Sequence, residues 1–370
     1  MPFEATLPEN TDPRLATSLD VRRPREAGVG QAVARAVGDA ALALTWRVVQ
    51  ARSREVFLGA TPSPLSRVYY TADDGWQAPI YVVPARPGTT GEPVLLAHGL
   101  GGSGLDFDLG ASSLARSLAE SGYTVYLFEH RGDRSAIPPA HAGPFTADDL
   151  ATRDLDAAVQ TVRQHSGFAR VLTVGHGFGA QLLLLRYALM GVDDIAGSVL
   201  IGGAVRFEAE RSSTRAWAQV AQLLPSSWVL PGRRFQQLAS PFVASGAELS
   251  SPGTEGALAR AHLRHASGDL HVGVLKQVGR WFDAGHLTDA TGRFDVVAGL
   301  PSLASLVIEP DADPACPAGA AEPAAAPLGA YFERLSGGWG HLDPLLGARA
   351  GADVFPRVEH FLEATRRKCW

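Results

Sequence analysis

Residues 171–180 read Val171-Leu172-Thr173-Val174-Gly175-His176-Gly177-Phe178-Gly179-Ala180. An apolar, β-branched run ends in three alternating glycines, and a strongly apolar helical pattern continues through Met190. Short apolar runs suit a strand buried on both faces. A helix that is apolar nearly all round belongs at the centre of a domain. The stretch therefore predicts strand, sharp turn and buried helix, with Gly177 at the tip of the turn.

The same alternation repeats on either side. Val94–Ala97, Val125–Phe128, Ser198–Ile201 and Leu303–Ile308 read as further buried strands, and 66–71 with 78–84 as a hairpin around Asp73-Asp74-Gly75. Leu150, Leu155, Ala158, Val159 and Val162 share one side of a helix over 147–165. Val354, Phe355, Val358, Phe361 and Leu362 stripe a last helix that closes the sheet. The expected fold class is α/β, a mostly parallel sheet with helices on both faces. Residues 206–290 interrupt the pattern with helical stretches and with aromatics expected to be exposed, Trp217, Trp228, Phe235, Phe242 and Trp281, which suggests an inserted helical cap. The expected division is an arm and helix over 1–60, core over 61–205, cap over 206–290 and core again over 291–370. Residues 310–329 read as Ala/Pro-rich loop.

The chain has 370 residues, 46% of them apolar, and a formal net charge of -5. That is enough apolar material for a sizeable core, and too little charge to suggest a nucleic-acid or anionic-membrane partner. Cys316 and Cys369 are too few for a disulfide framework. No apolar signal core opens the chain and no run reaches the ~18 apolar residues of a membrane span. The expectations are a cytoplasmic protein, a small-molecule substrate, no nucleic acid, no membrane insertion, no cofactor and no metal. His262, His265 and His271 lack a compact ligand spacing.

Three loops carry candidate site residues. After the strand ending at Ala97 comes the glycine-rich turn His98-Gly99-Leu100-Gly101-Gly102-Ser103. After Ile308 comes Glu309-Pro310-Asp311-Ala312-Asp313, which offers two aspartates. Before the last helix comes Gly337-Gly338-Trp339-Gly340-His341-Leu342-Asp343-Pro344. The remaining groups read as ordinary: Ser103 as a solvated loop serine, Cys316 near the rim, Glu129–Arg134 as a charged turn, and Asp148, Asp149, Arg153, Asp154 and Asp156 as a solvated helix face.

Residues 171–180 match the G-x-S-x-G nucleophile elbow of the α/β-hydrolases at every position but the centre, where Gly177 stands in place of serine. Over roughly residues 66–367 the chain resembles that superfamily. Segments 98–108, 124–131, 335–347 and 352–362 look like its cap-bearing members related to polyhydroxyalkanoate synthases, and like the hydrolase modules fused to glucose-methanol-choline oxidoreductases. The resemblance implies Gly177 at the nucleophile position, His341 as base, and Asp313 as its acid with Asp311 as the alternative. It implies oxyanion donors at Leu100 and Phe178, and a substrate lined by His98, Gly99, His176, Trp217 and Trp281.

Three functions are open to such a chain. The first is an enzyme without covalent catalysis, in which a His–Asp pair and an oxyanion hole act on a bulky apolar carbonyl compound by proton transfer, elimination or C–C chemistry. The second is a serine or cysteine ester or lactone hydrolase whose nucleophile has been removed. The third is a non-catalytic ligand binder. Glycine at 177 removes the attacking oxygen and leaves backbone donors untouched.

Overall fold

A computed structural model describes residues 65–369 apart from 111–112, 134 and 208–212, so the expected arm and helix over 1–60 lie outside the described residues. Eight strands form one sheet: β1 (Ser66–Thr71), β2 (Gln77–Val83), β3 (Pro93–Ala97), β4 (Thr124–Phe128), β5 (Val171–His176), β6 (Ile195–Ile201), β9 (Ser305–Pro310) and β10 (Tyr331–Leu335). The short strands β7 (Val229–Leu230) and β8 (Leu270–His271) pair with each other. The spatial order is β1-β2-β4-β3-β5-β6-β9-β10. β1 and β2 pair antiparallel, as do β2 and β4, and every later pairing is parallel.

Alternate side chains of each central strand enter different cores. Leu95 and Ala97 of β3 pack on one face with Leu150, Val159, Leu182 and Leu183. Val94 and Leu96 pack on the other with Leu118, Val358 and Leu362. This is the two-residue period of a strand feeding two helical layers. Helix Phe178–Met190 is buried continuously from Phe178 to Tyr187, as its apolar run demands. Chain order steps outward from β3 to β4 on one side and from β5 to β6 on the other. The crevice at the carboxyl ends of β3 and β5 is thus the topological switch point, where open α/β sheets place ligands.

Three expectations require correction. Residues 310–329 are not all loop, since a short helix, Ala325–Leu328, leads into β10. β10 escapes a reading by hydrophobicity because it is an edge strand whose centre, Glu333 and Arg334, is polar. The charged helix face is not simply solvated. Asp154 lies in a π-helical turn, Leu150–Leu155, is wholly buried, and accepts from the backbone N–H (2.8 Å) and Nε (2.7 Å) of Arg131. Lastly, Trp281 is fully buried while Trp217, Trp228, Phe235 and Phe242 are exposed. Its indole N–H donates to the Thr288 carbonyl at 2.7 Å, and its ring packs on Phe178 and Phe207.

Between β6 and β9 the chain forms helices Ser213–Gln222, Gly232–Ala239, Gly256–Ala261 and Val272–Ala284. No helix among the described residues is long and apolar enough to cross a membrane.

Candidate active site

Gly177 follows β5 with φ 53° and ψ −117°, a conformation that costs an L side chain roughly 1–3 kcal/mol. Its neighbours in the motif are glycine for a different reason. A Cβ on Gly175 would lie 2.6 Å from the Ala180 amide nitrogen, and one on Gly179 would overlap the Ala97 carbonyl. The helix can pack this tightly against β5 and β3 only without those atoms. A Cβ on Gly177, in contrast, would sit 3.0 Å from Cε1 and 3.2 Å from Nε2 of His341.

His341 stands over the elbow. Its Nδ1 donates to Asp313 Oδ2 at 2.8 Å, which leaves Nε2 facing Gly177. The second oxygen of Asp313 accepts the Ala315 N–H at 2.7 Å. Burial raises the Asp313 carboxyl, but the His341 charge and hydrogen bond outweigh it and hold the group below the usual range. The same contact works in reverse on His341, where burial disfavours the cation and Asp313 nevertheless lifts its pKa above the ordinary value. Asp311 makes a different contact. Its carboxylate accepts the N–H groups of Gly337 (2.7 Å), Gly338 (3.0 Å) and Trp339 (2.7 Å), shaping the loop that leads to His341.

The loop after β3 lies alongside. Leu100 is half-buried, and Gly102 N–H closes a turn on the Gly99 carbonyl at 3.1 Å. Phe178 begins the buried helix, so its N–H has no intrahelical acceptor. Gly99 leaves room for His176, whose Nδ1 would lie 3.5 Å from a Cβ there. His176 Nε2 donates to the His341 carbonyl at 2.8 Å, and both His176 and His98 are buried, with pKa pushed down to about 4 chiefly by that burial. His98 approaches Glu129 at 3.5 Å. These two imidazoles are therefore packed behind the crevice. Trp217 is an exposed residue of helix Ser213–Gln222, and Trp281 is sealed in the core.

Asp106 and Gly268, near the site, were not singled out by sequence. Asp106, buried in the short helix Gly104–Asp108, contacts His262 Nδ1 at 2.6 Å. The Gly268 N–H donates to the Gly101 carbonyl at 2.7 Å. Ser103, expected to be a solvated loop serine, is instead buried, and its hydroxyl accepts the Leu105 N–H. Cys316 is likewise buried, with its thiol pushed well up by burial and by Asp313. No group of three or more metal-ligating side chains occurs among the described residues.

A model of the alpha/beta hydrolase fold matches residues 92–250. The sheet order and this match agree. The chain has the α/β-hydrolase fold. The chain is 30% identical to human Lipase member K over 139 residues, 34% of this chain and 35% of the lipase. It is equally 30% identical to mouse Lipase member K over 130 residues. The matches thus span about a third of the length of these curated relatives. Among solved structures it is similar to a thermophilic esterase from Thermogutta terrifontis (TM-score 0.55, 18% identity, 81% of this chain and 99% of that one). A bromoperoxidase from Bacillus anthracis is comparable (TM-score 0.55, 16% identity, 80% and 100%). So is the α/β-hydrolase GrgF from Penicillium (TM-score 0.54, 16% identity, 83% and 99%).

Proposed function

We propose that this α/β-hydrolase-fold protein is an enzyme that works without a covalent intermediate, with His341 as general base and acid and Asp313 as the group that holds its tautomer. The observation that carries the reading is the retained pair: His341 Nδ1 on Asp313 at 2.8 Å, with Nε2 directed at a position where Gly177 supplies no nucleophile. Buried Cys316 and Ser103 offer no substitute. In the proposed reaction Nε2 removes a proton from carbon next to a substrate carbonyl. The C–H electron pair moves into the C–C bond and the carbonyl pair onto oxygen, giving an enolate held by the N–H groups of Leu100 and Phe178. The proton then returns to carbon, or an adjacent bond breaks with loss of a leaving group. Helices within 206–290 serve as a cap over a bulky apolar small molecule, with exposed Trp217 as a contact residue. No cofactor enters this scheme.

One observation favours a second reading, that of an ester or lactone hydrolase lacking its nucleophile. A Cβ at 177 would lie 3.2 Å from His341 Nε2, so a serine there would stand directly against the imidazole that activates such a nucleophile. One paired experiment separates the readings. Turnover of carbonyl compounds by the chain as it stands, lost in His341→Ala by on the order of 10³-fold or more, is the outcome expected of the first. Gly177→Ser that gains hydrolysis of p-nitrophenyl esters, where the parent turns over nothing, favours the second. Ligand binding unaffected by His341→Ala, with no turnover in any variant, would sink both.

A further inference from the structure

Asp343 follows His341 by two residues and is only 1% exposed, so its carboxylate needs donors from the protein. It has three. Oδ2 accepts the N–H groups of Gly340 (2.8 Å) and Gly253 (3.1 Å), and Oδ1 accepts the Thr254 hydroxyl (2.8 Å). Gly253 and Thr254 belong to a turn some 90 positions earlier in the chain. Asp343 thus fastens that distant turn to the loop bearing the base.

The turn in its own right holds the backbone at the histidine. The Ser250 carbonyl accepts the His341 N–H at 3.0 Å, and the Ser251 hydroxyl accepts the Leu342 N–H at 2.7 Å. Three consecutive amides, 340 to 342, therefore end on Asp343 or on the turn that it anchors. The approach is close: a Cβ on Gly340 would overlap the Ser250 carbonyl and lie 2.7 Å from Ser251 Cα. Ser250 has φ 55°, the only positive φ at a non-glycine among the described residues. Such a conformation persists where surrounding bonds over-determine it, and it clusters at functional sites. His176 pins the opposite side of the same peptide by donating to the His341 carbonyl.

We infer that Asp343 is a positioning residue, whose carboxylate locks the Ser250–Thr254 turn onto the histidine loop and so fixes the His341 ring between Asp313 and Gly177. Its importance for turnover rests on His341 being the base proposed above. Its effect on the ring does not, because ring placement is read without a substrate. A displacement of about 1 Å at a reacting group costs on the order of 100-fold in rate.

The test uses the full chain with 15N-labelled histidine. In the parent the His341 ring is expected to give a low-field Nδ1–H signal, from the hydrogen bond to Asp313, and a titration midpoint above 6.5. Asp343→Asn, which keeps the shape but loses the charge and one acceptor, is expected to abolish that signal and to bring the midpoint down toward 6.5 while circular dichroism remains that of a folded chain. Thr254→Val removes a single contact and is expected to give a smaller shift in the same direction; it carries the test if Asp343→Asn does not fold. A variant that lowers the melting temperature yet leaves the His341 signal and midpoint unchanged would overturn the assignment. Absence of turnover in every variant, with these shifts present, would count against the proposed reaction and leave the positioning role standing.

Discussion

At the scale of single residues, the glycines of the elbow separate into two kinds. Gly175 and Gly179 are required by contact with Ala180 and Ala97, whereas Gly177 has a positive φ and a Cβ there would press on the His341 ring at 3.0 Å. The acid partner was ambiguous by spacing, because Asp311 and Asp313 both follow β9. The fold resolves it by geometry, turning Asp311 to three loop amides and Asp313 to His341. The pair also sets a pH dependence. His341, raised above 6.5, contributes stability that is present in full below that value and is lost as pH rises through its folded pKa. Asp313, lowered below 3.8, contributes stability that is present above 3.8 and is lost as pH falls through its own. The melting-temperature difference between the parent and His341→Gln is expected to peak between 3.8 and 6.5 and to shrink on both sides. A difference that stays flat with pH would contradict this. Under the proposed reaction the base must be the neutral His341 ring, so the rising limb of turnover is expected above pH 6.5.

At the scale of elements, hydrophobic period located the central strands and the helices that cover them, because burial on both faces leaves an unbroken apolar run. It failed where charge was buried or where an edge was polar. Asp154 looked like one more solvated acid on a helix, yet the π turn over Leu150–Leu155 sets it against Arg131 at the end of β4. Arg131 is also joined by Asp74 from the hairpin turn, so three elements share one buried guanidinium. Asp154→Asn leaves that charge short of a partner in the interior and is expected to cost about 3–5 kcal/mol in urea unfolding. A cost below about 1 kcal/mol would mean that Asp74 and solvent satisfy Arg131 on their own. β10 was missed for the opposite reason, since an edge strand need not be apolar throughout.

At the scale of the whole molecule, the segment between β6 and β9 shares its core with the sheet. Val274, Val278 and Trp281 lie in the same buried cluster as Leu95, Ala97 and Leu182–Leu185. A continuous core unfolds as a unit. Far-ultraviolet circular dichroism and tryptophan emission are therefore expected to report one coincident urea transition over the described residues; two separated transitions would show that the helical segment melts alone. Trp281 makes the same point. Sequence placed it among the exposed aromatics of residues 206–290, and only packing against Phe178 and Phe207 reveals it as core. What the sequence by itself determined is the strand–helix alternation, the glycine turn after β5 and the missing oxygen at 177, all of which are local properties of a chain. The tertiary structure alone decided which aspartate meets His341, which charges are buried and what holds the histidine loop. Those contacts join residues 28, 90 and 165 positions apart, and hydrogen-bond partners at such separations are set by topology, which no local period encodes.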